Sequence, residues 1–376
     1  MALCSRYFYF SRQISYRRFQ RKTLIPCTLS IIPMYRAIRI PPEKGEEIRE
    51  KAIVGKFLDT TRKIRKVQTK KGAFLEIPVT WDAGETVEGF PVIEQEDIEF
   101  LKPPQPLKEY LKGSLSETEL ALVPSGWHVL GDIIIVRIPD ELDKKKNLIA
   151  RALLSMYPKC RSVVRDFGIE GQFRQPKREL LLGSGTETIH KEHGCLFKQD
   201  VTKVMYSRGN LEERKRMSSI GKGEVVVDMF AGIGYFSIPM AAHGKPEKII
   251  SIEINPESFA YLKENIRLNH VEDIVTPVLG DCSQSAPEGE ADRVIMGYVG
   301  TTHHYLKPAI KALKKSGGIL HYHETVPESL AKTRPEERIK KAAGSLGKKV
   351  EVLETRRIKK YSPGVLHVVV DARIFE

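Results

Sequence analysis

The chain has 376 residues, of which 41% are hydrophobic and 29% charged, with a formal net charge of +13. This length exceeds what one hydrophobic core usually organises, so at least two domains are expected. No apolar run approaches the ~18 residues of a membrane-spanning helix, and the five cysteines (Cys4, Cys27, Cys160, Cys195, Cys282) are scattered and odd in number, so neither an integral membrane protein nor a disulfide framework or cysteine-ligated zinc site is signalled, and a reducing, cytoplasmic setting is expected.

Residues 1–33 form a basic arm, "MALCSRYFYFSRQISYRRFQRKTLIPCTLSII", followed by Pro33. Its Arg, Ser and aromatic content resembles an organellar presequence; read instead as an extension ahead of Met34, it is given no functional weight. Residues 1–39 hold eight basic and no acidic side chains, which leaves 53 basic against 48 acidic residues, or +5, in the remainder. That excess favours an anionic partner, and charge alone does not separate nucleic acid from a membrane surface.

An N-terminal segment, 34–111, runs into "EFLKPPQPLKEYLKG", where Pro103, Pro104 and Pro106 favour extended backbone and place a boundary near Lys112. In 112–216, "GDIIIVRIP" predicts a buried strand, "KKKNLIARALLSMYP" an amphipathic helix, and "SVVRDFGI" and "CLFKQDVTKVMYS" further strands, which makes an α+β middle domain. From 217 to 376 strands alternate with helices: "EVVVDMF", a helix through Met240, "KIISIEI", a helix from Pro256, "VTPVLGD", "ADRVIMGY", a helix around Ala309, and "GGILHYHE". This alternation predicts a doubly wound parallel α/β sheet, closed by two strands on either side of a Ser-Pro-Gly turn.

In "VVVDMFAGIGYFSIP" an apolar strand ends at Asp228 and passes through Gly232 and Gly234 into a helix, so the backbone can approach a ligand at the carboxyl end of the strand. Glu253 ends the next strand, where a carboxylate can accept both ribose hydroxyls, and Asp281 ends the third, placed for an adenine amino group. A dinucleotide is the competing ligand. Ser237 stands at the third position of G-x-G-x-x-G, and Asp228 would sit badly beside a pyrophosphate but suits the cationic end of S-adenosylmethionine (AdoMet), which is therefore the expected cofactor. In "EINPESFAYLKENIRLN", Asn255 caps a helix that begins at Pro256, with Phe259, Leu262 and Ile266 as its inward stripe.

The set "DMFAGIGYFSIP", "SIEINP", "LGDC" and "GGILHYHE", preceded by "FKQDVTKVMYSRGNLEER" and followed by "YSPGVLHVVVDARI", resembles enzymes of the class I AdoMet-methyltransferase (Rossmann-like) fold that act on position 37 of tRNA. Two families share it: the guanine-37 N1-methyltransferases and the wybutosine-pathway aminocarboxypropyltransferases. The resemblance covers Leu122 to Glu376. In the methyltransferases the fourth strand ends in an Asn-x-Pro element that holds the base; here "VIMGYVGTTHHYL" places Gly297 there. "SRGNLEER" and "YSPGVLHVVVD" also lean toward the aminocarboxypropyl branch.

That resemblance implies transfer of the 3-amino-3-carboxypropyl group of AdoMet to C7 of 4-demethylwyosine in the anticodon loop of tRNA(Phe), without a metal or an obligate protein partner. Ser207, Arg214, Glu253, Asp281 and the Cys282 backbone correspond to cofactor contacts, with Asp228, Gly232 and Gly234 in the cofactor loop and Gly297 leaving room for a larger base. Glu213 and Arg174 match positions that act on guanine in the methyltransferases and here would orient the base. Composition alone would read "LEERKR" as a solvated helix face and Arg174 as a surface charge. His303, His304, His321, His323 and Glu324 could be imagined as metal ligands, but sulfonium displacement needs none; His304 and Tyr305 are instead expected at the base pocket. Arg151, Lys159, Arg161, Arg165, Lys177 and Arg178, with Arg356, Arg357, Lys359 and Lys360, are expected to meet phosphates. The alternatives are guanine-37 N1-methylation and a non-catalytic tRNA-binding protein; intact Asp228, Glu253 and Asp281 argue against the latter.

Overall fold

The computed structural model describes residues 35–69, 72–80, 83–95, 98–99, 106–171, 175–206 and 208–376. The basic arm, Pro103 and Pro104 of the linker, Arg174 and Ser207 lie outside the described residues. The chain divides into two units between Pro103 and Pro104.

The first unit is built on β1 (Arg36–Ile40), α1 (Gly45–Val54), β2 (Arg65–Thr69), β3 (Gly72–Val79), β4 (Thr86–Val87) and β5 (Phe90–Glu94). Its antiparallel sheet has the order β2-β3-β1-β5-β4. Ile38, Ile40, Ile77 and Val79 face Ile48 of α1 in its core. Arg62 is buried there and donates four hydrogen bonds: to Asp59 at 2.7 Å, Gln95 at 2.8 Å, and the carbonyls of Arg36 at 2.9 Å and Val79 at 3.0 Å.

The second unit opens with α2 (Leu107–Leu111), α3 (Glu117–Leu122), β6 (Trp127–Leu130), β7 (Ile133–Val136), α4 (Lys146–Met156), β8 (Ser162–Glu170) and β9 (Gln175–Gly183), the strands forming a sheet in that order. The unbroken apolar run of β7 reflects cover on both faces. Ile134 and Val136 pack with Ile149 and Leu153 of α4, while Ile133 and Ile135 pack with Val164 and Val201. Leu107 and Leu111 belong to the first of these cores, so the segment just ahead of Lys112 packs with the middle layer, contrary to a boundary at that residue.

Next come β10 (Glu187–Glu192), β11 (Cys195–Asp200), α5 (Leu211–Met217), β12 (Val225–Asp228), α6 (Ser237–His243), β13 (Lys248–Glu253), α7 (Pro256–Leu268), β14 (Val275–Leu279), α8 (Cys282–Ser285), β15 (Arg293–Met296), α9 (Leu306–Ala312), β16 (Gly318–Pro327), α10 (Arg334–Gly344), β17 (Lys349–Ser362) and β18 (Val365–Phe375). Seven strands form one sheet, β14-β13-β12-β15-β16-β18-β17, parallel from β14 to β16 and antiparallel where β18 inserts between β16 and β17. One face is covered by α9 and α10 through Leu306, Ile310 and Ile339. The other is covered by α6 and α7, together with Cys195, Phe197 and Met217, so the β10–β11 hairpin and α5 pack with the large sheet, while Thr188 of β10 also hydrogen-bonds Asp132 of the middle layer. Among the described residues no helix is long and apolar enough to cross a membrane.

Two carboxamides, one on α7 and one at its C-cap, fasten the hairpin. Asn265 Oδ1 accepts from the Lys198 N–H at 2.7 Å, and its Nδ2 donates to the carbonyls of Lys198 and Ile233, both at 3.1 Å. Asn269 repeats the two-sided grip on Leu196, at 2.7 Å each way. A carboxamide presents a donor and an acceptor as a peptide does, so α7 extends the edge of β11. Asn265→Leu strands one buried and two part-buried backbone groups and is expected to cost at least about 3 kcal/mol, at roughly 1–3 kcal/mol for each unsatisfied group. A urea-denaturation midpoint equal to that of the wild type would show that the grip is dispensable.

Candidate active site

A cavity of about 250 Å³ opens at the carboxyl ends of β12, β13, β14 and β15. After β12 the chain turns through Gly232 (φ +59°) and Gly234 (φ +100°). Glu253, at the end of β13, pins this loop: Oε2 accepts from the Gly232 N–H and Oε1 from the Asn255 N–H, each at 2.8 Å. Burial pushes the Glu253 pKa up against those two hydrogen bonds. The carboxylate is thus held at fixed orientation in the cavity wall, and its remaining lone pairs suit a ribose diol. Asp281 caps α8 by accepting from Ser283 N–H at 2.8 Å, with the buried Cys282 beside it. Phe230 stacks on Tyr298 at 5.3 Å and meets Tyr305 edge-on at 5.2 Å. These three rings line the same end of the cavity and form a slot for a flat base.

The opposite wall is polar. Asn210, Arg214, Lys359, Tyr361 and His367 contribute to it, with Phe236 and Gly297 beside them. Arg214 is 1% exposed; its fork meets Glu192 at 2.7 and 2.9 Å, and Tyr206 hydrogen-bonds the same carboxylate. The guanidinium also lies over the Tyr206 and Tyr235 rings, at 5.1 and 5.3 Å. Its carboxylate partner is therefore a protein group, and its place in the wall is that of a positioned, already neutralised cation. Glu213 does not line the cavity. It is buried behind the wall, held by Arg216 at 2.6 and 3.1 Å, with Arg356 at 3.6 Å.

Several expected residues take different roles. Asp228 is fully buried beneath the loop, accepting from Ser237 Oγ at 2.7 Å and the Phe230 N–H at 3.3 Å, while Ser251 donates to Ser237 at 2.8 Å. It shapes the loop and does not face the cavity. Gly234 is also absent from the wall: a Cβ there would come within 2.4 Å of Ile238, so its glycine serves close packing. At Gly297 a Cβ would fall 2.6 Å from the Phe236 ring. The missing side chain is thus taken up by Phe236 rather than left as open room for a base.

Tyr305 lines the cavity and His304 does not. His321 is committed to Asp371 at 2.5 Å and Arg293 at 2.6 Å, and among the described residues no cluster of His, Cys, Asp and Glu could hold a metal ion. Arg165 is 2% exposed and is used by the Ile138 carbonyl, Asp140 and Asp143; Arg178 is used by Asp166 and the Val201 carbonyl. Neither is presented to a phosphate. Arg356 is likewise spent on Asp371 at 2.7 Å. Glu192, Phe236 and His367 were not singled out from the sequence, since nothing local marks them; their partners Arg214, Gly297 and His323 lie 22 or more residues away in the chain.

Three family models match the chain: the TRM5/TYW2 methyltransferase domain over residues 188–353, the TYW2 N-terminal domain over 107–186, and the tRNA methyltransferase 5 N-terminal domain over 37–87. The last falls in the first unit, which the resemblance read from the sequence did not reach. The tRNA(Phe) (4-demethylwyosine(37)-C(7)) aminocarboxypropyltransferase of Methanocaldococcus jannaschii is 48% identical over 65% of this chain and 96% of its own length. The tRNA (guanine(37)-N(1))-methyltransferase Trm5b of Pyrococcus abyssi is 36% identical over 90% of this chain and 98% of its own length. The crystal structure of P. horikoshii TYW2 in complex with MeSAdo superposes with a TM-score of 0.64 at 41% identity, covering 72% of this chain and 98% of that one. The Rossmann-like α/β sheet expected from the sequence is the one these relatives share.

Burial raises the Asp228 pKa from its ordinary 3.8 to about 6, against its bonds to Ser237 and Phe230. A carboxyl that holds its proton longer when folded stabilises below its unfolded pKa and loses that contribution as pH rises through the folded one. At about 1.4 kcal/mol per pH unit the loss between pH ~4 and ~6 is about 3 kcal/mol. In the absence of AdoMet, Asp228→Asn should therefore flatten the decline in urea midpoint over that interval; equal declines in both proteins would refute the assignment.

Proposed function

The chain belongs to the TRM5/TYW2 family, in its aminocarboxypropyltransferase branch, and from that premise we propose that it transfers the 3-amino-3-carboxypropyl group of AdoMet to C7 of 4-demethylwyosine at position 37 of tRNA(Phe), releasing methylthioadenosine. The substrate class is tRNA and the donor is AdoMet. The finer placement, the anticodon loop in a cytoplasmic setting with no obligate protein partner, is part of the proposal.

The sulfonium of AdoMet activates three carbons toward in-line displacement, so the group that moves is the one whose carbon faces the nucleophile. Glu253 holds the ribose, and Asp281 with the Cys282 backbone and the Phe230, Tyr298 and Tyr305 rings holds the adenine. With that end fixed, the orientation of the methionine arm is set at the polar wall by Asn210, Arg214, Lys359 and their neighbours. By the resemblance Ser207 is assigned to the cofactor and Arg174 to the base, both outside the described residues, and Glu213 supports the base side from behind the wall.

The observation that carries this reading is the Gly297–Phe236 contact. Where the methyltransferases place an asparagine to hold the base, this chain has no side chain, and a phenyl ring occupies the space. A second reading, N1-methylation of guanine 37, is favoured by the methyltransferase-type N-terminal domain over residues 37–87.

The two are separated by AdoMet labelled either in the methyl or in the aminocarboxypropyl carbons, incubated with tRNA carrying 4-demethylwyosine or guanosine at position 37. Aminocarboxypropyl label in the RNA with methylthioadenosine released is expected; methyl label with S-adenosylhomocysteine released would establish the second reading. Gly297→Asn should displace Phe236, destabilise the protein by about 1–3 kcal/mol as overpacking does, and lower transfer at least tenfold without creating methyl transfer. An active, unperturbed G297N protein would show that the contact does not matter.

A further inference from the structure

The cavity wall contains an imidazole to which the proposed cofactor contacts assign no part. His367, on β18, is 1% exposed and lines the cavity. Its Nε2 meets His323 Nδ1 at 3.1 Å, whereas its Nδ1 has no partner among the described residues. A buried ring nitrogen left unpaired costs stability unless a ligand or a reaction uses it, and His367 is a lining residue of the cavity whereas His323, whose Nε2 is also unpaired, is not. His323 is packed against Phe236 edge-on at 5.5 Å, which ties the pair to the Gly297 contact.

The reaction proposed above needs a group of this kind. Its acceptor is an aromatic carbon that carries hydrogen: the ring π electrons form the C7–Cγ bond, the Cγ–S pair leaves on sulfur to give a neutral thioether, and the positively charged ring recovers aromaticity only when the C7 proton departs. We propose that His367 is a catalytic residue of this transfer, its Nδ1 taking the C7 proton while Nε2–H remains hydrogen-bonded to His323. The inference rests on the proposed function, since guanine N1-methylation has no C–H proton to remove.

Other lining groups do not fill the role. Glu253 has both oxygens on backbone N–H groups and Asp281 caps α8; the Lys359 ammonium donates and has no lone pair. Burial, with His323 and Lys359 adding to it and Glu213 opposing, pushes the His367 pKa down to about 3. The ring is therefore neutral with its lone pair available, and a weak base suffices because a σ-complex cation is a strong acid. The Glu213 carboxylate, behind the wall, offsets the charge that His367 acquires.

The test measures single-turnover transfer to tRNA containing 4-demethylwyosine with protium or deuterium at C7. For His367→Asn and His367→Ala, a rate loss of about a hundredfold is expected, the lower end of what a general base supplies. AdoMet affinity by calorimetry should stay within threefold of the wild type. The C7 isotope effect should rise from near unity to above 2 as deprotonation becomes limiting, and imidazole should partly restore H367A. Rates within threefold of the wild type, or a rate loss with the isotope effect still at unity, would overturn the proposal while leaving the function intact. A wild-type protein that releases no methylthioadenosine would overturn the function and the proposal together.

Discussion

The buried pair between Arg214 and Glu192 constrains the whole of the polar wall. Two charges taken out of water side by side recover their desolvation cost only when geometry is good and the remaining donors and acceptors are used. Here the fork is bidentate, Tyr206 completes the carboxylate, and two aromatic rings cover the cation. The pair joins α5 to the β10–β11 hairpin, and Asn265 and Asn269 join that hairpin to α7. Because Asn265 also reaches the Ile233 carbonyl in the glycine loop, the cofactor end and the polar end of the cavity share one continuous set of supports. Deleting either charge would leave the other stranded in a site 22 residues away along the chain.

The alternation of strands and helices was legible because apolar periodicity is local, and so was the wall position of Glu253, which ends a strand, and of Asp281, two residues beyond the end of the next. Asp228 ends a strand too, yet its side chain turns down to Ser237. A strand end locates a residue without saying which way it faces. Gly232 and Gly234 differ in the same manner, one lining the cavity and the other filling a packing gap. The run "LEERKR" looks like a solvated surface by composition, yet Glu213 and Arg214 are buried, Arg214 against Glu192 of the hairpin and Glu213 against Arg216 and against Arg356 of β17. His323 and His367, 44 residues apart, meet because β18 inserts beside β16, a topological fact that no local pattern carries.

That insertion also produces a polar layer inside the sheet. His321 and Asp371 meet across it, with Arg216 and Arg356 on the same carboxylate at 3.1 and 2.7 Å. Burial acts to raise the Asp371 pKa, but the His321 bond and the two guanidinium charges hold it well below the usual carboxylate range. The layer is closed by complementary charges in place of apolar packing, which demands definite orientations from every member. Such a layer gives the neighbouring His323–His367 pair a fixed backing, as a looser apolar core would not.

The ring of Phe236 has a consequence for which substitutions this chain can accept. With the phenyl edge 2.6 Å from where a Cβ at position 297 would stand, a side chain cannot return to that strand end while the ring remains. Nor does shrinking the ring first help, since it would open a void beside a buried histidine pair and disturb a wall already in use. The two positions must change together or pass through a weaker intermediate. Steric coupling between one absent side chain and one present ring thus ties the two positions together, so that in this chain neither can be altered without the other feeling it.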